Sequence, residues 1–228
     1  MKLAKSKIDI GLCTNNRDSL LRFWQTNVGL KLDQVLPVRR GQIQYRHDAL
    51  GSVVKINYFA DELLRAPSSG YRELLIARKN ITGPEQLIDP DGNCVTLLPL
   101  GSKGITQIGV RLTVRDMDAH RDFYKRALGL EEQRQTVGTA FHAGETLIML
   151  EEQRGTAIDA PFRATGWRYI TFQVFNVDEV HAEIVAAGGR EGLAPTTLGT
   201  TARISMILDP DGNCIELSQR ASIVGPLD

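Results

Sequence analysis

The chain has 228 residues, of which 42% are hydrophobic and 24% charged, and its 27 Lys and Arg are balanced by 27 Asp and Glu. That length suits one large domain or two of about 110 residues, and a zero net charge offers no global attraction for nucleic acid or anionic lipid. No stretch approaches the ~20 apolar residues of a membrane span, the N-terminal segment lacks the apolar run of a signal peptide, and three scattered cysteines form neither a disulfide framework nor a zinc-type cluster; a cytoplasmic protein with no nucleic-acid or membrane partner is expected.

In chain order, residues 10–30 (IGLCTNNRDSLLRFWQTNVGL) read as a strand followed by a helix that stops at Gly29. Gly70-Tyr71-Arg72 opens a later strand, and residues 89–94 spell DPDGNC. That segment is a turn, since Asp-Pro and Asp-Gly favour turn geometry. The same order then returns: IGVRLTVRDMDAHRDFYKRALGL at 108–130, Gly166-Trp167-Arg168, and a second DPDGNC at 209–214. Such ordered self-similarity marks a duplication.

The second copy carries the clearer patterns. Val110, Leu112 and Val114 alternate with Gly109, Arg111 and Thr113, the period of a half-buried strand. A helix is predicted over 119–128, ended by Gly129. Tyr169, Thr171 and Gln173 then alternate with Ile170, Phe172 and Val174. Val177, Val180, Ile184 and Val185 follow at helical spacing, before Gly188-Gly189. The offset between copies is 96 residues at Gly70/Gly166 but 120 at the turns, so the first copy lacks 24 residues there. It is expected to lack this helix and the strand after it. The last strand is predicted over 214–219. A sheet with one polar concave face and helices packed behind follows from the alternation.

Together, IGVRLTVRDMDAHRDFYKRALGL, GWRYITFQV and DPDGNCIEL, with their counterparts in the first half, resemble the vicinal oxygen chelate superfamily. This superfamily includes glyoxalase I, extradiol dioxygenases, methylmalonyl-CoA epimerase, and the fosfomycin and bleomycin resistance proteins. The resemblance covers nearly the whole chain. It implies an α+β fold of two tandem domains, residues 1–101 and 105–228, built of paired βαβββ modules whose sheets curl around a cavity, with the first domain shortened.

The resemblance also implies ligands on the first, fourth, post-midpoint and last strands. There His, Gln or Glu hold a metal that chelates two neighbouring substrate oxygens as a Lewis acid. In the second domain these positions fall on Gly109 (with Gln107 two residues earlier), Tyr169 and Glu216. In the first they fall on Asp9, Glu73 and Thr96. No imidazole stands at any of them, which disfavours an iron extradiol dioxygenase. A divalent metal on Glu216 is an incomplete set, and the cofactor is left open.

The candidate residues carry two readings each. Glu216 is a metal ligand or general base, or else the ion-pair partner of Arg111, Arg168 or Arg203. Tyr169 is a hydrogen-bond donor or acid toward a substrate carbonyl, or a lining aromatic. Arg111 and Arg203 clamp a carboxylate or phosphate, or neutralise Glu216. Gln107, Thr171 and Gln173 complete the substrate-binding set. Asp9 and Glu73 bind a hard divalent ion, or else Lys55 neutralises them, and the C-terminal tail with Gln219-Arg220 packs on the cavity mouth or on a partner subunit. His120 and His181 are expected to face solvent from helices, His142 is the histidine able to reach the cavity, and Cys94 and Cys214 are expected to be small buried residues.

Three functions are compatible with this reading. One is an enzyme moving a proton on a small oxygenated metabolite, by isomerase or lyase chemistry, in the second domain around Tyr169 and Glu216. Another is a metal-free protein that binds and sequesters a small molecule. The last is a scaffold whose shortened domain serves as interface or lid. A homodimer stays open, because the domain pairing is also satisfiable within one chain.

Overall fold

A computed structural model describes residues 1–135 and 138–227. The first module is β1 (Asp9–Thr14), α1 (Arg17–Arg22) with a widened last turn over Phe23–Asn27, β2 (Lys31–Arg39), β3 (Gln42–Ala49) and β4 (Ser52–Phe59). The second is β5 (Tyr71–Arg78), β6 (Glu85–Ile88) and β7 (Cys94–Pro99). The third is β8 (Ile108–Val114), α2 (Met117–Asp122) with the same wide turn over Phe123–Ala127, β9 (Glu131–Arg134), β10 (Thr139–Ala143) and β11 (Thr146–Glu152). The fourth is β12 (Gly166–Gln173), α3 (Val177–Ala186), β13 (Arg190–Leu198), β14 (Ala202–Leu208) and β15 (Cys214–Arg220), trailed by α4 (Ala221–Val224).

Local chemistry sets these boundaries. α2 starts where the Asp116 carboxylate accepts the Ala119 amide at 3.0 Å, and α3 where the Asn176 side chain accepts the Glu179 amide at 3.2 Å. Both wide turns run into glycines with φ of 75° at Gly29 and 66° at Gly129, a left-handed backbone that a Cβ would strain. The helix predicted over 119–128 therefore begins two residues earlier and ends in the wide turn. The second module lacks any counterpart of α3 and β13, as the shortened interval implies; β6 pairs antiparallel with β7 as β14 does with β15.

The strands form two sheets, one ordered β13-β14-β15-β12-β1-β4-β3-β2 and the other β6-β7-β5-β8-β11-β10-β9. The first module joins the fourth through antiparallel β1 and β12, and the second joins the third through antiparallel β5 and β8. Each sequence half is thus shared between both sheets. One continuous apolar core backs the two sheets. It takes Leu20 and Trp24 from the first helical segment, Phe123 and Tyr124 from the second, and Val177 and Ile184 from α3. Trp24 and Trp167 meet edge to face at 5.6 Å inside it.

His120 and His181 are buried, not solvent-facing. His181 falls on the Val177, Val180, Ile184 stripe of α3, and His120 lies one turn before Phe123 and Tyr124, so helical periodicity turns both rings inward. Cys94 and Cys214 are half-buried, at the strand ends beside the turns. Among the described residues no helix is long and apolar enough to cross a membrane.

The twin DPDGNC turns fold alike. Asp89 accepts the amides of Asp91 and Asn93 at 3.0 and 2.8 Å, and Asp209 accepts those of Asp211 and Asn213 at the same distances. Each also reaches across to the other sheet. The Asn213 side-chain oxygen Oδ1 accepts the Gly70 amide at 2.5 Å, and the Asn93 side-chain oxygen Oδ1 accepts the Trp167 amide at 3.1 Å. Gly70 and Trp167 flank the starts of β5 and β12, so the turns latch the two sheets reciprocally.

Candidate functional site

Strand alternation sends Ile170, Phe172 and Val174 into the core and leaves Tyr169, Thr171 and Gln173 on the concave face of the eight-stranded sheet. Parallel pairing places Thr171 beside Glu216 of β15, and Lys55 and Asn57 of β4 come to the same face through β1. These strands, with β2, β3, β13 and β14, enclose a cavity of about 740 Å³. Its wall includes Pro37, Phe162, Leu193 and Met206, and its charged groups are Arg39, Arg46, Lys55, Arg220 and Glu216.

Glu216 is neutralised by Lys55, whose ammonium lies 2.5 Å from Oε2 and donates to Thr171 Oγ1 at 2.6 Å. The Thr171 hydroxyl in turn donates to Glu216 at 2.5 Å. Burial pushes the Lys55 ammonium below its ordinary pKa, against the opposing pull of the Glu216 and Asp9 charges. The Tyr169 phenol is pushed well above its ordinary range by burial and by the Glu216 charge. Its oxygen accepts from Asn57 Nδ2 at 3.0 Å and Gln44 Nε2 at 3.4 Å. The ring fills the space where Gly11 has no side chain; a Cβ there would lie 2.1 Å from Tyr169 Cε1.

Gln173 faces the cavity, donates to Asp9 at 3.3 Å, and leaves its buried carbonyl oxygen without a partner. Arg46 donates to Gln44 at 2.8 Å and lies 4.0 Å from Asp9, which is held more closely by Lys5 at 2.7 Å. Lys55 was expected to serve Asp9 and Glu73; its ion pair is with Glu216.

The structure brings together Glu216, Tyr169, Thr171 and Gln173, and it places the other sequence-selected residues elsewhere. Arg111 sits in the seven-stranded sheet, 3.0 Å from Glu73 and 3.4 Å from Glu151. Arg203 grips Asp178 of α3 at 2.5 and 2.6 Å. The Gln107 amide is spent on Ala49, Ser52 and Thr146. Arg168 is buried against the carbonyls of Ala164, Thr165 and Pro67. No arginine partners Glu216 among the described residues. His142 lies on β10 in the other sheet. Sequence reasoning misses Lys55, Asn57 and Arg46 as cavity residues, since they lie in the first half of the chain and it assigns the cavity to the second domain alone; Arg220, of the tail that it sets either on the cavity mouth or on a partner subunit, lines the cavity.

A family model described as the glyoxalase/bleomycin resistance protein/dioxygenase superfamily matches residues 104–217. The chain belongs to this superfamily. No curated protein sequence matches it. Among solved structures, glyoxalase I from Zea mays is similar at a TM-score of 0.74 and 17% identity, covering 93% of this chain and 92% of that one. A single-substitution variant of the same maize enzyme is similar at 0.73 and 16% identity, covering 93% and 94%. At this identity the likeness is one of fold.

The metal that the superfamily implies does not fit the residues present. No three His, Cys, Asp or Glu side chains converge among the described residues. Each carboxylate at a ligand position is already paired with a cation: Glu216 with Lys55, Asp9 with Lys5 and Glu73 with Arg111.

The seven-stranded sheet shows what the equivalent superfamily face becomes without a cavity. Aligned through the repeat, Lys55, Thr171, Gln173 and Ser218 correspond to Met149, Leu75, Ala77 and Leu98. These apolar residues pack with Ile105, which the Ser102–Gly104 turn brings over the sheet. The Glu73–Arg111 pair stands where the other sheet has Tyr169 and Gly11. Polar groups are retained around one cavity, and the other face is plugged.

Proposed function

We propose that the chain binds a small, oxygenated organic anion with an apolar tail in the cavity of the eight-stranded sheet. The supporting observation is the charge of the lining: four cations, Arg39, Arg46, Lys55 and Arg220, against the single carboxylate of Glu216. Such an excess in a partly desolvated cavity favours an anion. The Pro37, Phe162, Leu193 and Met206 wall suits an apolar tail. Calorimetric titration with phenylpyruvate and with its uncharged methyl ester tests this. The anion is expected to bind at least tenfold tighter than the ester, and Arg46→Met to remove about 1.4 kcal/mol of that binding. Equal affinity for the ester, or no binding of either, rejects the reading.

A second reading, proton transfer on the bound metabolite, is supported by the Tyr169 hydroxyl, whose lone pairs are taken while its proton has no acceptor among the described residues. It predicts that the protein accelerates exchange of the phenylpyruvate methylene hydrogens in heavy water, seen by proton NMR, and that Tyr169→Phe abolishes the acceleration. Binding without exchange leaves sequestration as the activity.

A further inference from the structure

We infer that Lys55 takes the place of a metal ion in this cavity, and that its ammonium and the Tyr169 hydroxyl together clasp two neighbouring oxygens of a 2-oxo acid. The inference rests on the anion-binding reading above and names the groups that recognise the ligand.

Three features carry it. First, positive charge already stands at the last-strand ligand position, since Lys55 Nζ is bonded to Glu216 and Thr171. A second cation there would meet an ammonium instead of a free carboxylate. Second, each member of the clasp has one hydrogen left to give. An ammonium has three N–H donors, and those not spent on Glu216 and Thr171 have no partner among the described residues. The Asn57 amide also donates to the Leu12 carbonyl at 3.0 Å, which fixes its NH₂ toward Tyr169 and leaves the phenol as the donor. Third, the two are neighbours: Lys55 Nζ lies 5.3 Å from the centre of the Tyr169 ring.

Two neighbouring donors of this kind match a ketone oxygen and an adjacent carboxylate oxygen. The other sheet supports the same division of labour. There the lysine position is Met149 and the tyrosine position is Glu73, and the face is filled by Leu75, Ile105 and Met149. Where the clasp is absent, apolar side chains pack over the face.

The test is calorimetric titration of EDTA-treated full-length protein with phenylpyruvate and with 3-phenylpropionate, which has the same tail and carboxylate but no ketone. Phenylpyruvate is expected to bind without added metal and at least tenfold tighter than 3-phenylpropionate. Two variants are expected to reduce phenylpyruvate to the 3-phenylpropionate level. One is Tyr169→Phe. The other is the double variant Lys55→Met/Glu216→Gln, which removes both charges so that neither is stranded in the interior. If the double variant does not fold, Tyr169→Phe and the EDTA comparison decide. Phenylpyruvate binding that requires added zinc, nickel or magnesium, or that survives undiminished in the variants, overturns the clasp and leaves the anion-binding reading intact. Failure of the wild type to bind either compound overturns both.

Discussion

His47 sits on β3 with no exposed surface, its Nε2 3.3 Å from the Gln25 amide nitrogen and its Nδ1 without a partner. Burial pushes its imidazole from 6.5 down to about 4. Below pH 6.5 the unfolded chain takes up a proton that the folded ring refuses. The stability this residue contributes is therefore complete above that pH and drains away as pH falls toward 4. Asp89, pushed up to about 6 by its own burial, acts in the opposite sense over much of the same range. A comparison with His47→Gln isolates the histidine. Urea unfolding at pH 7 and pH 4 is expected to show the wild type losing about 3 kcal/mol more than the variant; parallel losses would refute the assignment. At this scale the sequence told much about the candidate site. Tyr169, Thr171, Gln173 and Glu216 converge because positions two apart on a strand share a face. Arg111 and Gln107 belong elsewhere because alternation does not tell which sheet a strand joins, and Arg203 lies on the cavity's own sheet but on its opposite face, since Ala202, Ile204 and Met206 take the cavity side. Lys55 was legible as a buried cation but not as the partner of a glutamate 161 residues away.

Among the elements, the twin turns help couple the two sheets. Asn213 and Asn93 each satisfy an amide at the start of a strand in the opposite sheet, both buried. A buried N–H left unpaired costs about 1–3 kcal/mol. Asn213→Ala and Asn93→Ala are each expected to lower unfolding free energy by that amount, as read from urea midpoints at unchanged slope. A loss below about 0.5 kcal/mol in both would show that the latches are decorative. DPDGN was readable as a turn from Asp-Pro and Asp-Gly alone. The cross-sheet bonds were not, because an Asn side chain in a turn carries no sign of its distant partner. The missing helix of the second module was readable from the change in repeat offset. The wide turns after α1 and α2 were not, since an apolar periodicity does not distinguish a tight last turn from a loose one.

For the whole molecule, duplication tells which segments are alike and is silent on which copy each one pairs with. The repeated motifs suggest residues 1–101 and 105–228 as the units, yet β1 pairs with β12 and β5 with β8, so each sheet draws on both. The cavity depends on that exchange: Glu216 and Tyr169 come from the last module, Lys55, Asn57 and Arg46 from the first. A 105–228 fragment would keep the carboxylate and the phenol, lose the ammonium, and bare the β12 edge that β1 covers. An exposed edge of that kind invites pairing with another chain. Produced separately, neither fragment is expected to bind phenylpyruvate, and 105–228 is expected to self-associate on size-exclusion chromatography. Mixed, the two are expected to form a one-to-one complex that recovers the affinity of the intact chain. A 105–228 fragment that stays monomeric and binds phenylpyruvate as tightly as the full chain would mean that the site is complete within one sequence half, and that the strands of the first module are dispensable to it.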